Sequence, residues 1–322
     1  MDFSALQKRI AKFKKPVCRC MYVSQDGVGC KNPPIKSHSL QKSGALKEIA
    51  ENGHVMSIQP KFTPKKVDWD FRKIGHSQAS TFPGYCKKHD SELFADVEDD
   101  YKSFGDRTVA LLTLRSISRE YFTKLAQIRM WTEDAVQKGF KRRLGDSGYE
   151  ELIGNAKAAG AELAKAKAVV DTALNENDFS MIKHVSALHA EPLPFAFTGA
   201  FNPEFTVTEE PILPDADKEW GSVFAFCGNL GGSNFVLLST VTTIGHGECA
   251  KFLNSITDEH SQNPNFWLNL GLKYIENSFF RPSWVAEQRA VKKLLMIQKF
   301  RVENSLNGHR APTCLNDLAI FD

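Results

Sequence analysis

Apolar positions recur along this chain in several textures, and each texture predicts a kind of element. Between residues 97 and about 131, Val109, Leu112, Leu114, Ile117, Tyr121, Phe122, Leu125 and Ile128 recur mainly at intervals of three and four, which predicts a helix. A second stretch, from Tyr149 to about Leu174, is rich in Ala, Lys and Glu and predicts another. Arg142-Arg143-Leu144-Gly145-Asp146 marks a break before it, and Asn175-Glu176-Asn177-Asp178 ends it, so an antiparallel helical pair is expected. After Phe179 the texture becomes β-prone, at 181–188, 195–201, 223–227 and 235–241, with prolines at segment ends. Gly228 to Asn234 reads as the hairpin turn between the last two. Helices are expected again at 248–253, at 264–280, and from Pro282 to Phe300.

The N-terminal third is more broken. Phe3, Leu6, Ile10 and Phe13 predict a short amphipathic helix stopped by Pro16. Residues 17–23 alternate as a strand, and Gln25-Asp26-Gly27-Val28-Gly29 turns the chain back to Cys30. A short strand at 35–40 contains His38. Ser43 then caps a helix that Asn52-Gly53 stops. Val55, Met56, Ile58 and Phe62 suggest a further strand, and 60–78 reads as a basic connection.

Charge and cysteine usage sharpen this picture. The net charge of the 322 residues is only +3, yet up to Lys47 the chain is dense in Lys and Arg, opposed by Asp2 and Asp26 alone. A local basic field points to a polyanion, with nucleic acid the expected partner. Seven cysteines, an odd number, do not form a disulfide framework. No apolar run reaches bilayer length, and Met1-Asp2-Phe3-Ser4 lacks the apolar core of a secretion signal, so a cytoplasmic protein with no membrane partner is expected.

Four of the seven cysteines, Cys18, Cys20, Cys30 and Cys86, lie between Cys18 and Phe94. Separated thiols on a hairpin, then His38 on a strand, then Cys86-Lys87-Lys88-His89 opening a helix is the layout of a treble-clef zinc site. Cys30, Cys86 and His89 supply three ligands. Cys18 and Cys20 share a strand face and both qualify for the fourth, with Cys20 favoured. Other residues have plainer readings. His54, His76, His184, His189, His246 and His260 lack partner patterns, and Cys227 and Cys249 read as small core residues. Gly228 to Gly232 is no phosphate loop, since no Lys-Ser/Thr follows.

The stretch Lys36-Ser37-His38-Ser39-Leu40-Gln41-Lys42-Ser43 resembles the Asp-His-x-x-Pro-x-Ser segment of HNH-type endonucleases, and Cys86 with His89 matches their second zinc pair. Ser37 stands where Asp is common, and Gln41 where Pro is. The resemblance covers about residues 17–95 and implies a ββα-like finger with structural Zn2+. It also implies His38 as general base, Thr81 at the usual Asn position, and Asp90 where a His usually holds a catalytic Mg2+ or similar ion. The segment also resembles a family of bacterial proteins sharing the pattern Cys…SerHis…GlyHisVal…AlaSerThrPhe…Cys-x-x-HisAsp. HNH-like proteins of this kind often serve in defence against phage or mobile DNA. The expected whole is α+β: a zinc-bound finger at 1–97, a helical region at 98–178, and a mixed α+β domain at 179–322. The expected function is metal-dependent cleavage of nucleic acid, DNA before RNA. The alternative is a non-catalytic zinc-stabilised nucleic-acid-binding or protein-interaction component, with the C-terminal domain available for a protein partner or a homo-oligomer.

Overall fold

Successive side chains on a strand point to opposite faces, and in this chain both faces are buried. Phe224 and Phe226 join one apolar cluster, while Val223, Ala225 and Cys227 join another. Phe235 and Leu237 likewise separate from Val236 and Leu238. The sheet is therefore a middle layer that needs a cover on each side.

The computed structural model describes residues 19–62, 67–98, 103–212, 219–245, 248–303, 315 and 318–321. The expected helix at 2–15, Cys18 and His246 lie outside them. In chain order the elements begin with β1 (Lys36–His38), a π-helical turn (Lys42–Leu46) and a single α-turn (Lys47–Ile49). Next come β2 (His54–Phe62), β3 (Val67–Gly75), β4 (Thr81–Pro83), α1 (Lys87–Leu93), α2 (Asp106–Trp131) and α3 (Asp134–Glu176). Four strands follow: β5 (Ile182–His189), β6 (Phe195–Phe201), β7 (Val223–Leu230) and β8 (Ser233–Val241). The remainder is α4 (Glu248–Asn254), α5 (Asp258–Gln262), α6 (Pro264–Tyr274), β9 (Ser278–Phe280), α7 (Pro282–Glu287) and α8 (Ala290–Glu303).

Seven strands form an antiparallel sheet in the order β3-β2-β9-β6-β7-β8-β5. One face carries α2, α3 and the Cys/His segment, through Val109, Leu114, Ile117, Leu163, Val170 and Phe82. The other carries the C-terminal helices, through Phe252, Phe266, Trp267, Leu270, Met296 and Phe300. Helix α2 reaches the sheet with polar groups as well as apolar ones. Thr113 and Ser116 meet the hydroxyls of Ser239 and Thr198, each at 2.6 Å, and also donate to carbonyls one turn back, so none of these buried hydroxyls lacks a partner. The β7–β8 turn places Gly231 and Gly232 at φ 58° and 85°. Two successive positive φ values define the tight hairpin turn that glycine adopts without steric penalty.

Several expectations need correction. The expected break falls at Gly145, whose φ of 77° interrupts the helical backbone of α3, but the helix before it already starts at Asp134. The basic connection at 60–78 contains β3, because residues 67–75 pair along the whole of β2. The helix expected over 264–280 stops at Tyr274, and Ser278–Phe280 turns extended to pair with β6. Its neighbours in the sheet override the helical spacing there. Residues 19–23 form no regular strand: the two arms are joined by the isolated bridge Val23–Gly29 and by single backbone bonds such as Cys30 N–H to Tyr22 O. Ser43 caps nothing, since the turn from Lys42 has Gln41 before it and no side-chain cap. Boundaries were expected near residues 97 and 178, but the sheet crosses both, because β2 and β3 join strands that come after residue 178.

Candidate metal centre and its neighbours

The segment from Arg19 to Ile35 has little regular structure of its own and is held by backbone bonds within itself and to the connection between β4 and α1. Cys20 N–H donates to Asn32 O at 3.1 Å, Met21 N–H to Gly84 O at 2.9 Å, Cys30 N–H to Tyr22 O at 2.9 Å, and Ile35 N–H to Tyr85 O at 2.7 Å. A Ser24–Gly27 turn brings the chain round, with Gly27 N–H on Ser24 O at 2.9 Å. These bonds place Cys20 and Cys30 opposite the start of α1, where Cys86 is the residue before the first helical turn and His89 lies within it.

Cys20, Cys30, Cys86 and His89 converge, their ligand atoms all within 4.8 Å of one another. They lie close enough to bind one metal ion. Nδ1 of His89 is 3.4 Å from the sulfur of Cys20 and 3.4 Å from that of Cys86. A tetrahedral ion with ordinary Zn–S and Zn–N bonds would set that edge near ~3.6 Å. The Tyr22 ring stacks on His89 with centroids 3.8 Å apart and fixes the imidazole plane. The Cys86 N–H donates to Cys20 Sγ at 3.2 Å, and Asn32 Nδ2 reaches Cys86 Sγ at 4.0 Å. These donors orient the sulfur lone pairs, as outer partners do at metal sites. Burial pushes the Cys20 thiol up to about 11. Burial also acts upward on Cys86, but bonds from the His89 amide, Cys20, Cys30 and Asn32 outweigh it and hold this thiol below its ordinary value.

No family model matches the sequence, and neither a curated protein nor a solved structure matches it. The chemistry must therefore be read from the site itself.

His38 ends β1, and its backbone pairs with Thr81 of β4. Thr81 does not hold the imidazole, because its hydroxyl donates to Gln78 O at 3.0 Å. Nε2 of His38 is buried without a hydrogen-bond partner, and so is Oδ1 of Asp90. Burial, then the Arg115 and Lys42 charges, push His38 below its ordinary value, against the Ser77 carbonyl and Glu98. Burial raises Asp90, opposed by Arg115 and by the hydroxyl of Ser37, the residue next to His38. Arg115 and Glu98 thus act on both groups. Only 2% exposed, Arg115 is ion-paired to Glu98 and lies 4.1 Å over the Phe94 ring.

Arg115 and Glu98 were not foreseen as part of this neighbourhood. A signal existed for the arginine: it is the single charge in the apolar run from Val109 to Ile117, and a charge there must find a buried partner. Nothing in the local sequence marks Asn32 or Tyr22. Among the remaining described histidines, His189 likewise has a buried Nε2 without a hydrogen-bond partner, while its bond to the Ser261 backbone opposes the lowering by burial. Nδ1 of His54 and of His76 meets the carbonyl of Asn52 and of Gly53, and His260 completes a capping box with Thr257. Cys227 and Cys249 are core residues.

Proposed function

We propose that Cys20, Cys30, Cys86 and His89 hold one Zn2+ as the staple of a treble-clef-like finger. We further propose that this finger presents His38 for metal-dependent hydrolysis of nucleic-acid phosphodiesters, DNA before RNA. Three thiols and one imidazole suit zinc, and a closed set of four leaves no position for substrate, so the ion folds the segment rather than reacting. The hydrolytic reading is carried by His38. Its imidazole is kept neutral near pH 7, the Ser77 carbonyl takes one ring N–H, and the buried Nε2 keeps an unused lone pair. A neutral imidazole with an unused lone pair is what a general base needs first, and a water must reach the buried Nε2 for it to act.

Oδ1 of Asp90 supplies an oxygen donor without a partner, which fits an ion such as Mg2+ that keeps most of its water. Such an ion, when bound, would stabilise negative charge on a phosphate. Around the finger Arg19, Lys31, Lys36, Lys42 and Lys47 are exposed and suit contact with a phosphate backbone. A second reading, a zinc-stabilised binding protein without catalysis, is favoured by two observations. Arg115 and Glu98 are already paired beside the site, and Thr81 is engaged elsewhere.

A plasmid-nicking assay with and without Mg2+, run beside metal analysis, separates the readings. Mg2+-dependent nicking is expected, falling by about 10²–10⁴-fold in His38→Ala. That variant should keep the zinc content and melting temperature of the parent. An unaltered His38→Ala rate, or no cleavage of DNA or RNA by the parent, would leave the binding reading standing.

A further inference from the structure

β2 pairs with β3 along its whole length on one side, but on the other it meets β9 at a single pair, Met56 with Phe280. β9 instead follows β6, from Phe195–Phe280 to Phe197–Ser278. Beyond Met56 the two parts of the sheet diverge, and a cavity of about 540 Å³ lies in the gap. That volume is in the range of small-molecule sites, roughly 300–1,000 Å³. One wall is β2 from Ser57 to Pro60, and the other is the segment Glu276 to Phe279.

The lining combines three kinds of group. Trp69 is half-buried and offers a flat apolar surface, its ring 5.7 Å from Phe300 and tilted by 59°. Arg72 of β3 and Arg119 of α2 both line the same space. Arg119 is paired with Glu120, and Glu276 is the carboxylate in the lining itself. Hydroxyl and amide groups of Ser57, Gln59, Gln78 and Thr81 complete it.

Part of the lining is also strained and fixed. Ser80 holds φ at 58°, a conformation unusual for a residue with a Cβ. Its hydroxyl is locked by Ser39 Oγ at 2.6 Å, the Leu40 N–H at 3.0 Å and Asn277 Nδ2 at 3.0 Å. Strain that the surroundings over-determine in this way tends to collect at ligand sites. The same tie joins the cavity to the finger, since Thr81, the next residue, pairs with His38.

We infer that this cavity binds a nucleotide, its phosphate at Arg72 and Arg119 and its base against Trp69. Guanidinium groups match phosphate oxygens with paired donors, and an indole face takes any base by stacking. Glu276 suits a sugar hydroxyl, which donates where a phosphate cannot. The identity of the ligand rests on the hydrolase reading above, but occupancy of the cavity does not require cleavage.

The test is titration calorimetry on the full chain without divalent ion, using dAMP, deoxyadenosine and inorganic phosphate. dAMP should bind, and the two fragments each about tenfold more weakly or worse. Arg72→Ala, at an exposed position, and Trp69→Leu should each weaken dAMP about tenfold, with Arg72→Ala leaving the melting temperature unchanged. A single-stranded oligodeoxynucleotide distinguishes the source of the nucleotide. Tighter binding than dAMP marks a nucleotide within a strand, weaker binding marks a free one, and both support the site. No dAMP binding at millimolar concentration, or binding that neither variant alters, overturns it. Binding without plasmid cleavage keeps the site and retires the hydrolase, and cleavage with Arg72→Ala silent on dAMP does the reverse.

Discussion

Glu162 on α3 shows how one side chain links this fold to pH. Ser222 Oγ donates to its Oε1 at 2.7 Å. Burial first, then the charge of Glu219, raise its carboxyl from 4.5 to about 7, against the pull of Ser222 and Asn202. Glu219 itself is ion-paired to Lys165. An acid raised on folding favours the protonated native state. Its contribution is complete below about pH 4.5 and is lost as pH rises through about 7. Glu162→Gln should therefore leave stability near pH 4 almost unchanged and raise it at pH 8 by up to about 3 kcal/mol. Urea unfolding at the two pH values checks this. Equal midpoint shifts at both would mean that the substitution acts through packing and not through ionisation.

Arg115 belongs to the same scale. Removing one partner of a buried ion pair strands the other, so Arg115→Ala should destabilise by about 3–5 kcal/mol, measured by denaturant unfolding. A loss below about 1 kcal/mol would show that Glu98 reaches water without its partner.

Among elements, the segment from Arg19 to Ile35 depends most on something outside itself. It has one isolated bridge and a few backbone bonds, with an apolar contribution from Cys20, Met21 and Tyr22. Such a segment has too few contacts to offset the entropy of ordering it, and the metal ion proposed for the Cys/His cluster would supply the difference. Stripping the metal with a chelator, or replacing Cys86 by Ser, should lower amide-exchange protection at residues 20–35 and 86–93 by about a hundredfold or more. β7 and β8 should stay protected. Unchanged exchange in the finger after complete metal removal would show that the backbone bonds suffice.

On the scale of the whole molecule, the finger and the sheet share one core. Cys20, Leu40, Phe82, Tyr85 and Cys86 pack in the same cluster as Val109, Leu114, Phe224 and Leu237. Tyr85 is fastened to α2 through the 2.6 Å contact between its hydroxyl and Ser118. Ile58 of β2 belongs to the opposite cluster with Phe280 and Phe300. A fragment of residues 1–97 should therefore fail to fold even with zinc supplied, giving collapsed amide dispersion in NMR. A folded, zinc-loaded 1–97 fragment would restore the independent finger that the sequence suggests.

What the sequence determined by itself is local. Cys86 and His89 are three apart at a helix start, so one turn brings both to the same face, and their nearness follows from the spacing. β6 was legible to the residue, and the long helices in their C-terminal ends, because their apolar patterns are continuous there, although α2 begins at Asp106 and not near 97, and α3 at Asp134 and not at Tyr149. Only the tertiary structure decided the rest. Cys20 and Cys30 meet Cys86 and His89 only in the fold, which brings together residues more than fifty positions apart, while Cys18 lies outside the described residues. Ser278–Phe280 is extended because β6 and β2 stand ready to pair with it, although its own spacing continues a helix. The two-stranded hairpin of β2 and β3 joins the far half of the chain for the same reason. A strand edge and its apolar faces are satisfied by whichever partners the fold brings near, and sequence distance does not enter that energy.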